Sequence, residues 1–278
     1  MSRMQTSLHG HEVGLDENRK LLSKKGFISG EVGSQIAAPS PNTIALFDDF
    51  TGDTFNTDLW VALEGTDSAT SDAALLAGGI GGVLRLTTGD AGTGLAADME
   101  QISCNLLQWQ ASNGGLAIQA RLKMSAITTC YAFFGFTDTV SFEAPIESAA
   151  SADTLTSTAS NAVGFMFDTR MATDNWWLVG VATDTDATHQ NTGYAPVADT
   201  YETFRIELEK ADSGATTSRA RFFRNGVQVG TTMTGALTSA TDLTPTIAVS
   251  KTSVAASMTM DVDYVHVAMD RGLDGTAV

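Results

Sequence analysis

Between Gly115 and Met124 the chain reads Gly-Leu-Ala-Ile-Gln-Ala-Arg-Leu-Lys-Met, with an apolar residue at every second position. Leu116, Ile118, Ala120, Leu122 and Met124 share one face; Gln119, Arg121 and Lys123 share the other. A period of two over this length belongs to a half-buried antiparallel strand, because successive side chains leave a strand on opposite sides. The pattern recurs at Tyr201–Lys210, where Phe204, Ile206 and Leu208 alternate with Arg205, Glu207 and Glu209. Arg219–Arg224 and Val227–Thr232 flank Asn225-Gly226, a pair preferred in two-residue type I′ hairpins because both positions take φ > 0. Further strands are predicted at Ile44–Phe50, Gly81–Thr88, Met99–Trp109, Cys130–Thr137, Val163–Asp168, Asn175–Thr183, Thr246–Ser250 and Ser257–Met269. Cys130–Thr137 and Val163–Asp168 are more continuously apolar, as central strands are. Long helical periodicity is missing, so the expected fold is all-β, an antiparallel sandwich of about a dozen strands. Ser141–Ser160, rich in Ala, Ser and Thr, is the longest predicted loop, and loops of that length tend to carry function or contacts.

The first 42 residues are different. Met1–Asn42 holds one aromatic residue, Phe27, and five glycines, too little apolar surface to offset the entropy of ordering it. It reads as an extended arm that a partner holds in place, which points to an assembly. Pro39-Ser-Pro41 is a stiff joint. The expected organisation is an arm over 1–42, a β body over 43–271 and a short tail over 272–278.

Charge divides along the same boundary. The chain carries −16 overall; the arm, with five basic and four acidic residues, is +1, leaving −17 on the remainder. So acidic a body repels phosphate backbones, and no basic stripe interleaved with aromatics is evident along the chain, so nucleic acid is excluded as a partner. Arg19-Lys20 and Lys24-Lys25 in the arm read either as a dock for an acidic partner or as a solvated face. With no run of 18 apolar residues and no apolar leader segment, a membrane partner is not expected and synthesis in a cytoplasm is.

Cys104 and Cys130 lack metal spacing and read as buried free thiols, with a disulfide left open. Gly-Xaa-Ser-Xaa-Gly, His-Glu-Xaa-Xaa-His, Cys-Xaa-Xaa-Cys and P-loop motifs do not occur. Gly78–Gly82 is too short to cradle phosphate and reads as a turn. His9, His11 and Glu12 share the arm without a further ligand nearby. Trp176 and Trp177 are strand neighbours and point to opposite faces, one to the core and one outward, for an interface or for stacking on a sugar.

The order of elements over 44–271 resembles the concanavalin A-like lectin/glucanase jelly roll. The residues carrying the resemblance are Phe47-Asp-Asp-Phe-Thr-Gly-Asp-Thr-Phe-Asn-Thr-Asp-Leu-Trp60 for the opening strand and turn, Phe204-Arg-Ile-Glu-Leu208 with Arg221-Phe-Phe-Arg-Asn-Gly-Val227 for back-sheet strands, and Met260-Asp-Val-Asp-Tyr-Val-His-Val267 for the closing strand. The resemblance implies a Ca2+ site at Asp48, Asp49 and Asp53 near Asp261 or Asp263, against ordinary turn-forming aspartates. Glucanases of this fold carry a Glu-Xaa-Asp-Xaa-(Xaa)-Glu strand, and retaining hydrolysis needs two carboxyl groups about 5–5.5 Å apart. The strand that aligns there, Val163–Asp168, offers Asp168 alone, so the chain is expected not to be an enzyme. The arm, through His11-Glu-Val-Gly-Leu15 and Arg19-Lys-Leu-Leu22, resembles the start of tailed-bacteriophage virion proteins.

Together these imply a head decoration, or cement, protein on the outer surface of a virion. It would be a homotrimer bound to the major capsid protein through arm residues His9, His11, Glu12, Leu15, Arg19, Lys20, Leu21, Leu22, Lys24, Lys25 and Phe27. The alternative is a carbohydrate-binding module of a phage fibre or tail, reading host glycans through Trp176 or Trp177 and the 141–160 loop.

Overall fold

The computed structural model describes residues 7–8, 11–12, 43–66, 71–79, 81–90, 94–149, 153–209, 211–212, 214–253 and 256–271. Residues 1–40 and 41–278 form separate units. In the first, β1 (Ser7–Leu8) pairs antiparallel with β2 (His11–Glu12).

The second unit is two antiparallel sheets. The back sheet holds β3 (Thr43–Asp48), β5 (Asp72–Leu75), β6 (Leu84–Thr87), β8 (Leu116–Met124), β16 (Glu202–Glu209), β17 (Thr217–Arg224), β18 (Val227–Thr238) and β20 (Thr259–Asp270). Its order is β18-β17-β16-β8-β20-β6-β5, with β3 also on β20. The front sheet holds β4 (Trp60–Glu64), β7 (Glu100–Cys104), β9 (Cys130–Thr137), β12 (Asn161–Asp168), β13 (Trp176–Ala182) and β19 (Thr244–Lys251). Its order is β13-β12-β9-β19-β7-β4, with the short β14 (Thr185–Asp186) and β15 (Gln190–Asn191) on β13. A separate hairpin pairs β10 (Ile146–Ser148) with β11 (Leu155–Ser157).

Alternation builds the core between the sheets. The front sheet sends in Phe134, Phe136, Val163, Phe165 and Phe167; the back sheet answers with Leu116, Ile118, Phe204, Ile206 and Phe222. Phe165 sits at the centre, 5.0 Å from the ring of Phe204 and 5.4 Å from that of Phe222. Each such fully buried ring contributes about 1.5–3 kcal/mol relative to exposure. The predicted strands over Cys130–Thr137, 116–124 and 202–209 are present with the expected faces. Asn225 and Gly226 take φ of 49° and 79°, the left-handed pair that the hairpin needs.

Three segments differ from expectation. β7 stops at Cys104: residues 105–108 turn out to solvent, with Leu106 64% exposed, before Trp109 returns to bridge Leu243. β4 and β5 are strands that lie outside the predicted ones. The 141–160 segment is not all loop, since it holds the β10–β11 hairpin. It also brings a second apolar core, on the outer face of the front sheet.

Candidate functional site

The outer face of the front sheet is set by register. Trp177, Met166, Phe133, Ala248 and Gln101 stand in one row across β13, β12, β9, β19 and β7. The next row is Val179, Gly164, Gly135, Thr246 and Ser103. A Cβ at Gly164 would stand 2.6 Å from the ring of Phe133, so the missing side chain is the space that ring occupies. Ile146 and Ala159 pack onto this apolar half, with Phe142, Ala144 and Leu155 at its margin.

Polar contacts fasten the hairpin there. Tyr131 Oη donates to the carbonyl of Ile146 at 2.9 Å, and the Ser148 N–H donates to Asp168 Oδ2 at 3.0 Å. The Arg170 guanidinium joins Asp168 and Glu147, with Nη2 2.7 Å from a carboxylate oxygen of each. Asp168 is fully buried. It anchors the hairpin.

Toward β7 the same face is polar. Gln101 Nε2 donates to Thr246 Oγ1 at 3.2 Å and Ser103 Oγ at 3.4 Å, and the Ser103 and Thr246 hydroxyls bond to each other. Gln101 Oε1 accepts the Glu143 N–H at 3.1 Å, while Thr137 Oγ1 donates to Glu143 Oε1 at 3.2 Å. Burial pushes the half-buried Glu143 carboxyl up; the Thr137 hydrogen bond opposes this and the charge of Asp138 adds to it. Asp138 accepts Asn161 Nδ2 at 3.1 Å. A carboxyl that burial inclines to hold its proton is one that general acid chemistry can use. Glu143 and Asp138 are the partly exposed members of this group, while Gln101 and Thr137 are fully buried and hold Glu143 in place.

Most residues singled out from the sequence lie elsewhere. Trp176 and Trp177 do point to opposite faces, yet neither presents an open ring. Trp176 is 2% exposed in the central core, its Nε1 donating to Glu202 Oε2 at 3.3 Å. Trp177 is 5% exposed because the hairpin-bearing segment covers the outward face. Outward from a sheet is not outward to solvent, and the expected exposed Trp contact is corrected accordingly.

The aspartates proposed for Ca2+ are not brought together. Asp48 accepts the Phe50 N–H at 2.9 Å and Trp60 Nε1 at 2.8 Å, and Asp49 accepts the Thr51 hydroxyl at 3.0 Å. Asp261 pairs with Arg85 at 2.7 Å and Lys123 at 2.9 Å, and Asp263 pairs with Arg121 at 2.6 Å. Register explains the separation: β3 places Asp48 opposite Val265, whereas Asp261 faces Arg85 on β6. Asp53 is exposed. Among the described residues no group of three or more His, Cys, Asp or Glu side chains is placed to hold a metal ion. Cys104 and Cys130 are buried free thiols, burial pushing each up to about 12. Gly78, Gly81 and Gly82 have φ near +80°, as a turn requires. Of the arm residues named, His11 and Glu12 fall in β2; His9, Leu15, Arg19, Lys20, Leu21, Leu22, Lys24, Lys25 and Phe27, like the 272–278 tail, lie outside the described residues.

Sequence reasoning missed Glu143, Asp138 and Gln101. Glu143 does lie in the 141–160 stretch marked as functional. Its partners come from β7 and the end of β9, and only the pairing of strands shows that they meet.

No model of a known protein family matches the chain, and no curated protein does. Solved structures do. The endo-1,3-β-glucanase of Streptomyces sioyaensis is 15% identical, with a TM-score of 0.54, over 83% of this chain and 98% of its own. The β-glucanase of Bacillus licheniformis is 12% identical, TM-score 0.53, over 80% and 97%. A structure from work on endo-acting O-glycanases, which human gut bacteria express to initiate mucin breakdown, is 8% identical, TM-score 0.53, over 82% and 99%. The fold is thus the concanavalin A-like jelly roll.

These likenesses overturn the expectation that the chain is not an enzyme. That expectation read one strand for a contiguous carboxylate run. The outward positions of β12 are indeed Ala162, Gly164, Met166 and Asp168, the last held by Ser148 and Arg170, but Glu143 reaches the same face from a neighbouring segment. Absence of the run on one strand does not exclude carboxyl groups supplied from another element.

Proposed function

We propose that this chain recognises carbohydrate, engaging a glycan at the Asp138–Glu143 end of its front sheet. The observation that carries the reading is the likeness to glycan-acting structures over at least 97% of each one's length. Asp138 and Glu143 support the choice of site, because they are partly exposed carboxyl groups fixed by the buried Gln101, Thr137 and Asn161, and sugar hydroxyls are selected by a few convergent polar groups. The full chain, presented to an array of β-linked glucans and mucin-type O-glycans, is expected to bind at least one class saturably. Glu143→Ala is expected to weaken that binding about tenfold, the loss typical of one hydrogen bond to a charged group. A chain that binds no glycan on the array sinks the reading.

A second reading, hydrolysis, is favoured by the raised Glu143 carboxyl beside Asp138. In it Glu143 gives its proton to the glycosidic oxygen as the C–O bond breaks, and a water adds its hydroxyl to the anomeric carbon while its other proton passes to the Asp138 carboxylate. Release of reducing ends from a bound glucan by the natural chain, and none by Glu143→Gln, is the expected pattern. The capsid-decoration reading, with a major capsid protein as partner and a trimeric state, rests on the resemblance of residues 1–42, and the body's likeness to glycan-acting structures does not add to it.

A further inference from the structure

We infer that the outer face of the back sheet is a binding surface for an extended anionic polysaccharide. The inference does not rest on the reading above, since it uses none of the Asp138–Glu143 residues and a different sheet.

Six of the chain's sixteen Lys and Arg residues form one diagonal on this face. Arg219 and Arg221 stand on β17, Arg205 on β16, Arg121 and Lys123 on β8, and Arg85 on β6. Register sets the diagonal. Arg221 faces Glu207, and Arg205 is two residues from Glu207; Arg205 faces Gln119, and Arg121 is two residues from Gln119; Lys123 faces Asp261, which faces Arg85. At about 4.8 Å between strands and 3.3 Å per residue, the stripe runs on the order of 30 Å.

Aromatic rings flank it. Tyr201 lies 4.3 Å from the Arg121 guanidinium and 5.0 Å from Lys123 Nζ, and Phe223 lies 4.1 Å from that of Arg205. Phe47 is 58% exposed, its ring 6.0 Å from that of Tyr264 and 5.7 Å from that of His266.

The cations are paired, but not saturated. Asp261, Asp263, Glu207, Glu209 and Asp212 accept from them, so the stripe is close to neutral on a chain of net charge −16. Each guanidinium has five N–H donors. Arg121 pairs with Asp263 through Nη1 at 2.6 Å and remains 43% exposed. Arg205 is 13% exposed and pairs with Glu207 through Nη2 at 3.2 Å. Arg219 and Arg221 are 46% and 41% exposed. Exposed donors therefore remain on Arg121, Arg219 and Arg221 for a ligand, and Tyr201, Phe223 and, to one side on β3, Phe47 supply apolar rings.

A polysaccharide of uronic acid or sulfated units matches both parts. Its ring faces stack on aromatics, and its anionic groups accept planar hydrogen bonds from Arg. A polynucleotide is the other polyanion, and the net charge of −16 opposes its denser phosphates. Sequence reading found no basic stripe because this one runs across strands rather than along any of them.

The test measures binding of the full chain to polygalacturonate, to neutral laminarin and to single-stranded oligothymidylate, at low and at 0.3 M salt. Polygalacturonate is expected to bind at low salt and to weaken more than tenfold at high salt, as a contact made by several charges does. Arg121→Gln with Arg205→Gln is expected to cost at least tenfold. Phe47→Ser, at an exposed position where folding is unaffected, is expected to cost several-fold. The inference is overturned if polygalacturonate does not bind, if both variants bind it as the natural chain does, or if oligothymidylate binds more tightly. Laminarin reports on the front-sheet reading separately, so either can fail alone.

Discussion

The two sheets turn alternate residues away from one shared core, and the two outer faces meet opposite fates. The front sheet turns out Trp177, Met166, Phe133 and Val179, which the hairpin-bearing segment covers. The back sheet turns out Arg121, Lys123, Arg205 and Glu207, which stay partly exposed and form ion pairs across the face. Alternation decides which side a residue takes; its chemistry decides whether that side needs a cover. A strand apolar on both faces, such as β9 or β12, has no period-two signal because both of its sides are buried. The covered face then has little room for a charge, whereas the open one holds many.

The largest test of this contrast sets one carboxyl from each sheet against the other. Glu100, at the start of β7, is fully buried with no hydrogen-bond partner on either carboxyl oxygen among the described residues, and Glu64 stands directly opposite on β4. Burial, then the charges of Glu64 and Asp72, push it up to about 9. From pH 4.5 to about 9 the unfolded chain releases a proton that the folded chain keeps, so stability falls as pH rises, by on the order of 6 kcal/mol in all. Asp261 on the back sheet has the opposite sign. Burial raises it, but hydrogen bonds from Arg85 and Lys123 outweigh burial and hold it low. Its contribution is present above the usual carboxylate range and is lost as pH falls through its lowered value. Denaturant unfolding from pH 4 to 10 should show the alkaline loss in the natural chain and not in Glu100→Gln. Parallel loss in both would remove Glu100 as the source.

The back sheet was open to reading and the front sheet was much less so, for a physical reason. At 202–209 each inward residue is apolar and each outward one polar or charged, so a single segment carries its own assignment. Asn225-Gly226 likewise states its turn locally, through the backbone conformation that it needs. The Glu143 group is assembled from residues 101, 137, 138 and 143, and no local pattern says that β7 and β9 both flank β19. The cationic diagonal is hidden similarly, since it depends on Arg205 facing Gln119 from a strand 86 residues away in the chain. The suggested Ca2+ ligands show the converse error. Aspartates two apart on a strand and clustered in a turn imply convergence, until register assigns each to a different donor.

Two aromatic residues, both outside the central core, give the next test. Trp177 on the front sheet is 5% exposed and packs beside His189 at 5.5 Å, its Nε1 donating to the Thr173 carbonyl at 3.3 Å. Phe47 on the back sheet is 58% exposed. Trp177→Ala should cost about 3–5 kcal/mol, as large-to-small changes at buried sites do, and Phe47→Ala less than about 1 kcal/mol. Chemical denaturation of the two variants reads the difference. Equal costs would mean that the hairpin does not seal the front face, and with that the distinction between the faces would fall.

The smallest expected contrast lies in the ion pairs that border each face. Asp168 is fully buried beneath the hairpin and is held by Arg170 and the Ser148 N–H. Asp263 is 24% exposed and pairs with an Arg121 that is itself 43% exposed. Removing one partner of a buried pair leaves the other charge unsolvated, whereas water compensates an exposed one. Asp168→Ala should therefore cost about 3 kcal/mol, the low end for a buried pair, because Arg170 is 27% exposed and keeps Glu147. It should also speed amide exchange across β10 and β11, since the Ser148 bond to the sheet is lost. Asp263→Ala should cost no more than about 1 kcal/mol and leave exchange in the hairpin unchanged. Exchange that rises equally in both variants would mean that the hairpin is not held through Asp168, and the covered face would then be sealed by apolar packing alone.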